Sequence, residues 1–198
     1  MNDAASHQHR QKLTASSCIE IGAPIETVWS AMTDLHHYHE WNPFIVGFDE
    51  APNHPTVGTR MRLHVVWANG KRVRSWETLT RLDPPTPVNG SVQGGRIATM
   101  AYEFSSWIAR TGLVVATREQ IIHQVPGGPT IYQTEEVFRG VLGRFVPLAN
   151  VEDGFRRHAL ALKQRAERMI DTGAGDLSYT KPRSVSINQN KELGMPSK

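Results

Sequence analysis

The chain has 198 residues, 39% of them apolar and 21% charged, a composition suited to one globular domain with polar tails. Its single cysteine, Cys18, excludes an internal disulfide and a cysteine-based zinc site. The formal net charge of +3 is spread along strands and one helix face, whereas a nucleic-acid partner calls for concentrated basic residues with stacking aromatics, so no nucleic acid is expected.

The opening stretch MNDAASHQHRQK lacks the apolar core of a signal peptide, and no run approaches the ~20 apolar residues of a transmembrane segment. A cytoplasmic protein is expected. Residues 1–13 and 172–198 read as flexible tails around a domain at 14–171. The second tail contains Gly173-Ala174-Gly175-Asp176-Leu177-Ser178, which approaches a dinucleotide fingerprint. That motif needs a strand before it, and this one follows a helix, so it reads as helix termination and linker.

Along the domain, Thr14 to Ile21 predicts a first strand with Ile19 and Ile21 on one face and Cys18 and Glu20 on the other. Pro24 suits the start of a helix on which Ile25, Val28, Trp29 and Met32 fall at i, i+3, i+4 and i+7. Asp34 breaks it; Leu35, Tyr38 and Trp41 predict a second short helix that Pro43 ends.

From Phe44 the pattern switches to strands. Phe44 to Phe48 is short and β-rich. Thr59 to Trp67 alternates, with Met61, Leu63, Val65 and Trp67 on one face and Arg60, Arg62 and His64 on the other. Ala68-Asn69-Gly70 supplies a hairpin turn into a return strand, Lys71 to Leu82, which Asp83-Pro84-Pro85 is expected to break. Arg96 to Trp107, Leu113 to Gln124 and Thr130 to Phe138 predict three more strands, the last two joined by Pro126-Gly127-Gly128-Pro129. No crossover helices separate them, so the sheet must be antiparallel.

A final helix is predicted from near Ala149. Val151, Phe155, Ala159, Leu162, Ala166 and Met169 form its apolar stripe, opposite Arg156, Arg157, Lys163 and Arg168. At about 22 residues it would be roughly 33 Å long, enough to cross a whole sheet. The predicted fold class is α+β: a curved antiparallel sheet wrapped around a long C-terminal helix, with two short helices after the first strand. A sheet of this size curls, and one helix cannot fill its hollow, so a pocket follows.

Several short runs carry a family resemblance: Ala23-Pro24-Ile25-Glu26-Thr27-Val28-Trp29, then Asp34, Trp41-Asn42-Pro43, Gly58-Thr59, Asp83-Pro84-Pro85 and Gly128-Pro129-Thr130. Glu136-Val137-Phe138-Arg139-Gly140, Ala161-Leu162-Lys163 and Ala166-Glu167 complete the series. Together and in order, over about residues 14–171, they resemble the polyketide cyclase/dehydrase branch of the START-like (SRPBCC, helix-grip) superfamily. The resemblance implies a helix-grip fold. Its members include lipid carriers, hormone receptors and aromatase/cyclases, with no universal catalytic set to transfer, so the activity must come from the residues themselves.

No GxSxG or HExxH motif is present. Gly90 to Ile97 has P-loop glycine spacing without the lysine and hydroxyl that hold a nucleotide, so no cofactor is expected. On a helix, His36, His39 and Glu40 would share a face whose chemistry suits zinc, but a closed site needs further ligands; the competing reading is a solvated face with Tyr38 and Trp41 packed inward, and no metal is expected.

Tyr132, Thr134, Glu136 and Phe138 share one face of the last strand. If Phe138 meets the long helix, Glu136 points into the hollow, and Arg118 on the neighbouring strand is its natural partner. The pair could be a structural clamp. It could instead orient a ligand carbonyl or move protons, with Tyr132 as a third candidate. Strand aromatics Trp67, Trp76, Tyr102, Trp107 and Tyr132 could face either core or ligand. Gly154 inside the long helix suggests a close approach by a ligand or by the first helix, and His158 could offer a polar contact at the rim.

The expected partner is a small hydrophobic molecule enclosed by Trp41, Met61, Leu63, Val65, Trp67, Trp76, Tyr102, Phe138, Phe155 and Ala159. The alternative is a cyclase or dehydratase acting in the same cavity through Glu136, Arg118 and Tyr132.

Overall fold

A computed structural model describes residues 13–50, 52–88, 94–106, 109 and 111–172. Trp107, residues 90–93 of the Gly90–Ile97 run, and the bulk of both expected tails lie outside these residues. Strand β1 is Leu13–Ile21. Helix α1, Ile25–Thr33, follows Pro24, and after Asp34 a 3-10 turn, Leu35–His37, leads into the short α2, Tyr38–Trp41. Six strands come next: β2 Ile45–Asp49, β3 Arg60–Val66, β4 Arg72–Pro87, β5 Arg96–Phe104, β6 Val115–Gln124 and β7 Thr130–Arg139. The long helix α3 is Leu148–Asp171.

All seven strands form one antiparallel sheet in the order β1-β7-β6-β5-β4-β3-β2. Helix α3 lays Val151, Phe155, Ala159, Leu162 and Ala166 against its concave face, meeting β1 and α1. Polar ties fix the helix along its length. Lys163 Nζ donates to the Glu20 carbonyl at 2.8 Å, and the Gly22 amide donates to Glu167 Oε1 at 2.8 Å. Nearer its start, Arg157 donates to the carbonyls of Pro43 (2.9 Å) and Val66 (3.0 Å).

Two expectations about strand β4 are corrected. The strand does not stop at Asp83-Pro84-Pro85 but runs on to Pro87, with register shifts between Leu79 and Arg81 and between Asp83 and Thr86. Strand β3 pairs with β4 only as far as Thr78, so the prolines stand on a locally free edge and at a bulge, where a missing N–H costs nothing. The second correction is Trp76. It pairs in register with Arg62 on the convex face, and its ring lies under the guanidinium groups of Arg60 (4.2 Å) and Arg62 (5.5 Å). It does not face the concave side.

Gly154 does allow a close approach, though not by α1. A Cβ there would lie 2.3 Å from Cε2 and 2.5 Å from Cδ2 of Phe44. The Phe44 ring also stands 6.0 Å from Phe155 and 5.7 Å from Trp67, centroid to centroid. Asn42 sets this corner: its Oδ1 accepts the amides of Phe44 and Ile45 at 3.0 Å each, and its Nδ2 lies 2.9 Å from His158 Nδ1.

Candidate functional site

Between α3 and the sheet lies a pocket of about 270 Å³. Strand β3 and its hairpin contribute Leu63, Val65 and Trp67; β4 contributes Val73, Ser75 and Glu77, with Arg74 beside them. Tyr102 and Phe104 come from β5, Ala116 and Arg118 from β6, and Glu136 and Phe138 from β7. Phe44, Ile45, Val114, Val146, Pro147, Val151 and Phe155 complete the wall. The lining is predominantly apolar, with a few polar groups gathered on the sheet floor.

Of the residues proposed from sequence, Leu63, Val65, Trp67, Tyr102, Arg118, Glu136, Phe138 and Phe155 line this pocket. Met61 and Ala159 are buried in the surrounding core and do not line it. Trp41 is half-buried against Tyr38 and His158, on the α2 side. Tyr132 is fully buried behind the pocket, with its ring stacked on His158.

Arg118 is the hub of the buried polar floor. Its Nε donates to Thr134 Oγ1 at 3.0 Å, Nη1 to the Tyr102 hydroxyl at 3.0 Å and Nη2 to the Tyr132 hydroxyl at 3.4 Å. Tyr132 donates in turn to Gln120 Oε1 at 2.8 Å, and the Gln120 amide reaches the Tyr102 hydroxyl at 3.4 Å. The guanidinium lies 4.1 Å from the Phe155 ring centroid. Burial disfavours its charge, but Tyr102, Tyr132 and Glu136 together outweigh that and hold it cationic.

The expected Arg118–Glu136 clamp is therefore not what the arginine makes. The two residues are paired across β6 and β7, but the nitrogens of Arg118 go to hydroxyls, and among the described residues no ion pair joins them. Glu136 lines the pocket without a hydrogen-bond partner among those residues. Burial raises its pKa to about 7, against the pull of Arg118. Glu77 is a second acid on the wall, buried where Glu136 is half-buried. Burial pushes it to about 8, the neighbouring charge of Glu136 adds to the rise, and the Ser75 hydroxyl (2.5 Å) and Arg118 oppose it.

Sequence reasoning missed Glu77 and Phe44. A signal for Glu77 existed: a three-residue turn at Ala68–Gly70 pairs Val65 with Val73, Leu63 with Ser75 and Met61 with Glu77, which puts Glu77 on the inner face and Trp76 outside. Phe44 had no such signal, because its position depends on the corner built by Asn42. His158 is not a rim residue. It is fully buried, its Nε2 has no hydrogen-bond partner among the described residues, and burial holds its pKa well below the usual imidazole value.

The histidine cluster near α2 is tied up locally. His37 Nδ1 lies 2.7 Å from Asp34, His39 Nδ1 lies 2.7 Å from the His36 carbonyl, and Glu40 pairs with Arg165 at 3.1 Å. Among the described residues, no three His, Cys, Asp or Glu side chains are placed to hold a metal, and no helix is long and apolar enough to cross a membrane.

A family model described as polyketide cyclase/dehydrase and lipid transport matches residues 10–167. Among solved structures, the chain is similar to a START superfamily protein from Mycobacterium smegmatis, with a TM-score of 0.55 at 18% identity over 79% of this chain and 98% of the other. It is also similar to the ZhuI aromatase/cyclase from Streptomyces sp. R1128, with a TM-score of 0.57 at 17% identity over 79% and 94%. At these identities the likeness is one of fold. A curated relative from Penicillium oxalicum, oxopyrrolidines biosynthesis cluster protein O, is 31% identical over 112 residues, or 48% of this chain. The match spans 54% of that protein's length.

Proposed function

The chain belongs to the polyketide cyclase/dehydrase and lipid transport family, and from that membership and its cavity we propose that it binds a small, largely apolar molecule between α3 and the sheet. The observation that carries this reading is the pocket of about 270 Å³, walled by Phe44, Leu63, Val65, Phe138 and Phe155 in a family of hydrophobic-ligand proteins. Removal of apolar ligand surface from water at ~25 cal/mol per Å² would drive binding. The relative named for an oxopyrrolidine biosynthesis cluster supports a small organic compound as the occupant.

Native mass spectrometry of protein purified from its host tests the reading. A retained organic molecule, lost when Ala116→Phe fills the pocket, is the expected result. A protein that retains nothing and takes up no naphthyl probe would exclude it.

A second reading, a cyclase or dehydratase, is favoured by one observation: Glu136 lines the cavity without a hydrogen-bond partner among the described residues. In that reading Glu136 exchanges protons with the substrate. Arg118 orients a substrate oxygen with the donors its hydroxyl partners leave spare. Tyr132, which does not reach the cavity, acts by holding Arg118. Turnover abolished in Glu136→Gln with ligand retention intact supports catalysis; both unchanged leaves binding alone.

A further inference from the structure

Two carboxyl groups line this apolar cavity, Glu77 from β4 and Glu136 from β7, on strands flanking β5 and β6. Arg118 lies between them on the floor, yet three of its N–H groups are given to Thr134, Tyr102 and Tyr132. Among the described residues it forms no ion pair with either acid. Arg74 also borders the space, but its side chain is exposed and solvated. The other titratable wall group is Tyr102, buried and committed to Arg118 and Gln120. Helix α3 brings only apolar side chains, among them Phe155.

The electrostatic count is thus two acids against one guanidinium. A buried carboxylate without a cation is costly, so each acid must either hold a proton or find a positive partner. Burial raises both groups despite the pull of Arg118, so that one guanidinium does not offset the burial of two acids. Above the floor stand the rings of Phe44, Trp67 and Phe155, which give a ring-sized apolar wall, with the Arg118 guanidinium already 4.1 Å from the Phe155 ring centroid.

We propose that the occupant of this cavity is an organic amine, with an apolar ring-sized body against the aromatic wall and its ammonium group paired, on the cavity side of Arg118, with the carboxyl groups of Glu77 and Glu136. The proposal rests on the reading of the pocket as a small-molecule site. The amine replaces the protons that the acids otherwise carry. Binding therefore releases protons and strengthens as pH rises, until the amine itself loses its charge.

Three probes with one naphthyl body separate the possibilities: naphthylmethylamine, naphthylmethanol and naphthoic acid, titrated into the full-length protein by calorimetry. The amine is expected to bind about tenfold or more tighter than the alcohol, with the acid weakest. Heats measured in buffers of different ionisation enthalpy should show proton release, and amine affinity should rise by up to about tenfold per unit between about pH 6 and pH 8 for each proton displaced. Glu77→Gln and Glu136→Gln should each weaken the amine about fivefold or more and leave the alcohol within about twofold.

Alcohol binding as tight as amine binding, or an amine preference that survives both glutamine variants, overturns the amine while the apolar-cavity reading stands. Alcohol binding that weakens as pH rises would mean the protonated acids donate to a neutral oxygen, and likewise overturns it. If none of the probes binds, the cavity reading fails as well. The comparison of probes and the proton count use the wild-type protein, so they decide the matter even if a glutamine variant does not fold.

Discussion

Replacing Gly154 with alanine puts two known effects in opposition. In a helix interior alanine is favoured over glycine by about 1 kcal/mol, so on helix propensity alone the variant is stabilised. The new Cβ, however, would stand 2.3 Å from Phe44 Cε2, 2.5 Å from Cδ2 and 2.7 Å from Cζ, well inside any contact distance. The ring cannot swing aside freely, since it is packed against Trp67 and Phe155 and its backbone is held by Asn42. Overpacking of this kind costs about 1–3 kcal/mol, so the net change is expected to run from about zero to about 2 kcal/mol of destabilisation. That corresponds to a fall of about 2–4 °C in Tm per kcal/mol for a domain of this size. Urea unfolding of wild type, Gly154→Ala, Phe44→Ala and the double variant completes a cycle. With the ring removed, Gly154→Ala should stabilise by about 1 kcal/mol, giving a coupling of about 1–3 kcal/mol. A single Gly154→Ala variant that is about 1 kcal/mol more stable than wild type, with no coupling to Phe44, would refute the contact and the corner that produces it.

Arg118→Met should cost about 1–3 kcal/mol by stranding the hydroxyls of Thr134, Tyr102 and Tyr132, and should raise the Glu136 pKa further, as read by carboxyl-carbon NMR. Asn42→Ala leaves the amides of Phe44 and Ile45 and His158 Nδ1 without their partner, and a loss of about 1–3 kcal/mol is expected in urea unfolding. Glu77 and Glu136 bind protons more tightly folded than unfolded, so their contribution to stability is fully present below about pH 4.5 and is lost as pH rises through about 7 and 8. Urea midpoints at pH 5, 7 and 9 should therefore show a decline that Glu77→Gln flattens; an unchanged slope would place Glu77 in solvent. His158 acts in the opposite direction: held neutral by burial, it costs stability as pH falls below its ordinary value of 6.5, and His158→Gln should reduce that acid-side loss.

The amino-acid pattern alone decided the element order and the topology class. Ile25, Val28 and Met32 could only make a helix face, Arg60 to Val66 could only alternate, and strands without crossover helices could only pair antiparallel. It also marked Gly154 as a place where something approaches closely. Two kinds of information were not in any single segment. One is the face of each strand, which depends on hairpin register: a period of two means that a one-residue choice exchanges Glu77 for Trp76 on the inner wall. The other is the choice of partner for a buried charge. Arg118 has Glu136 opposite it on β7 and Tyr102 opposite it on β5, and its nitrogens go to Tyr102 and to the Thr134 and Tyr132 hydroxyls further along the same face of β7. Hydrogen-bond geometry is satisfied in space over about 3 Å, and only the folded chain brings β5, β6 and β7 close enough to settle which groups meet that condition.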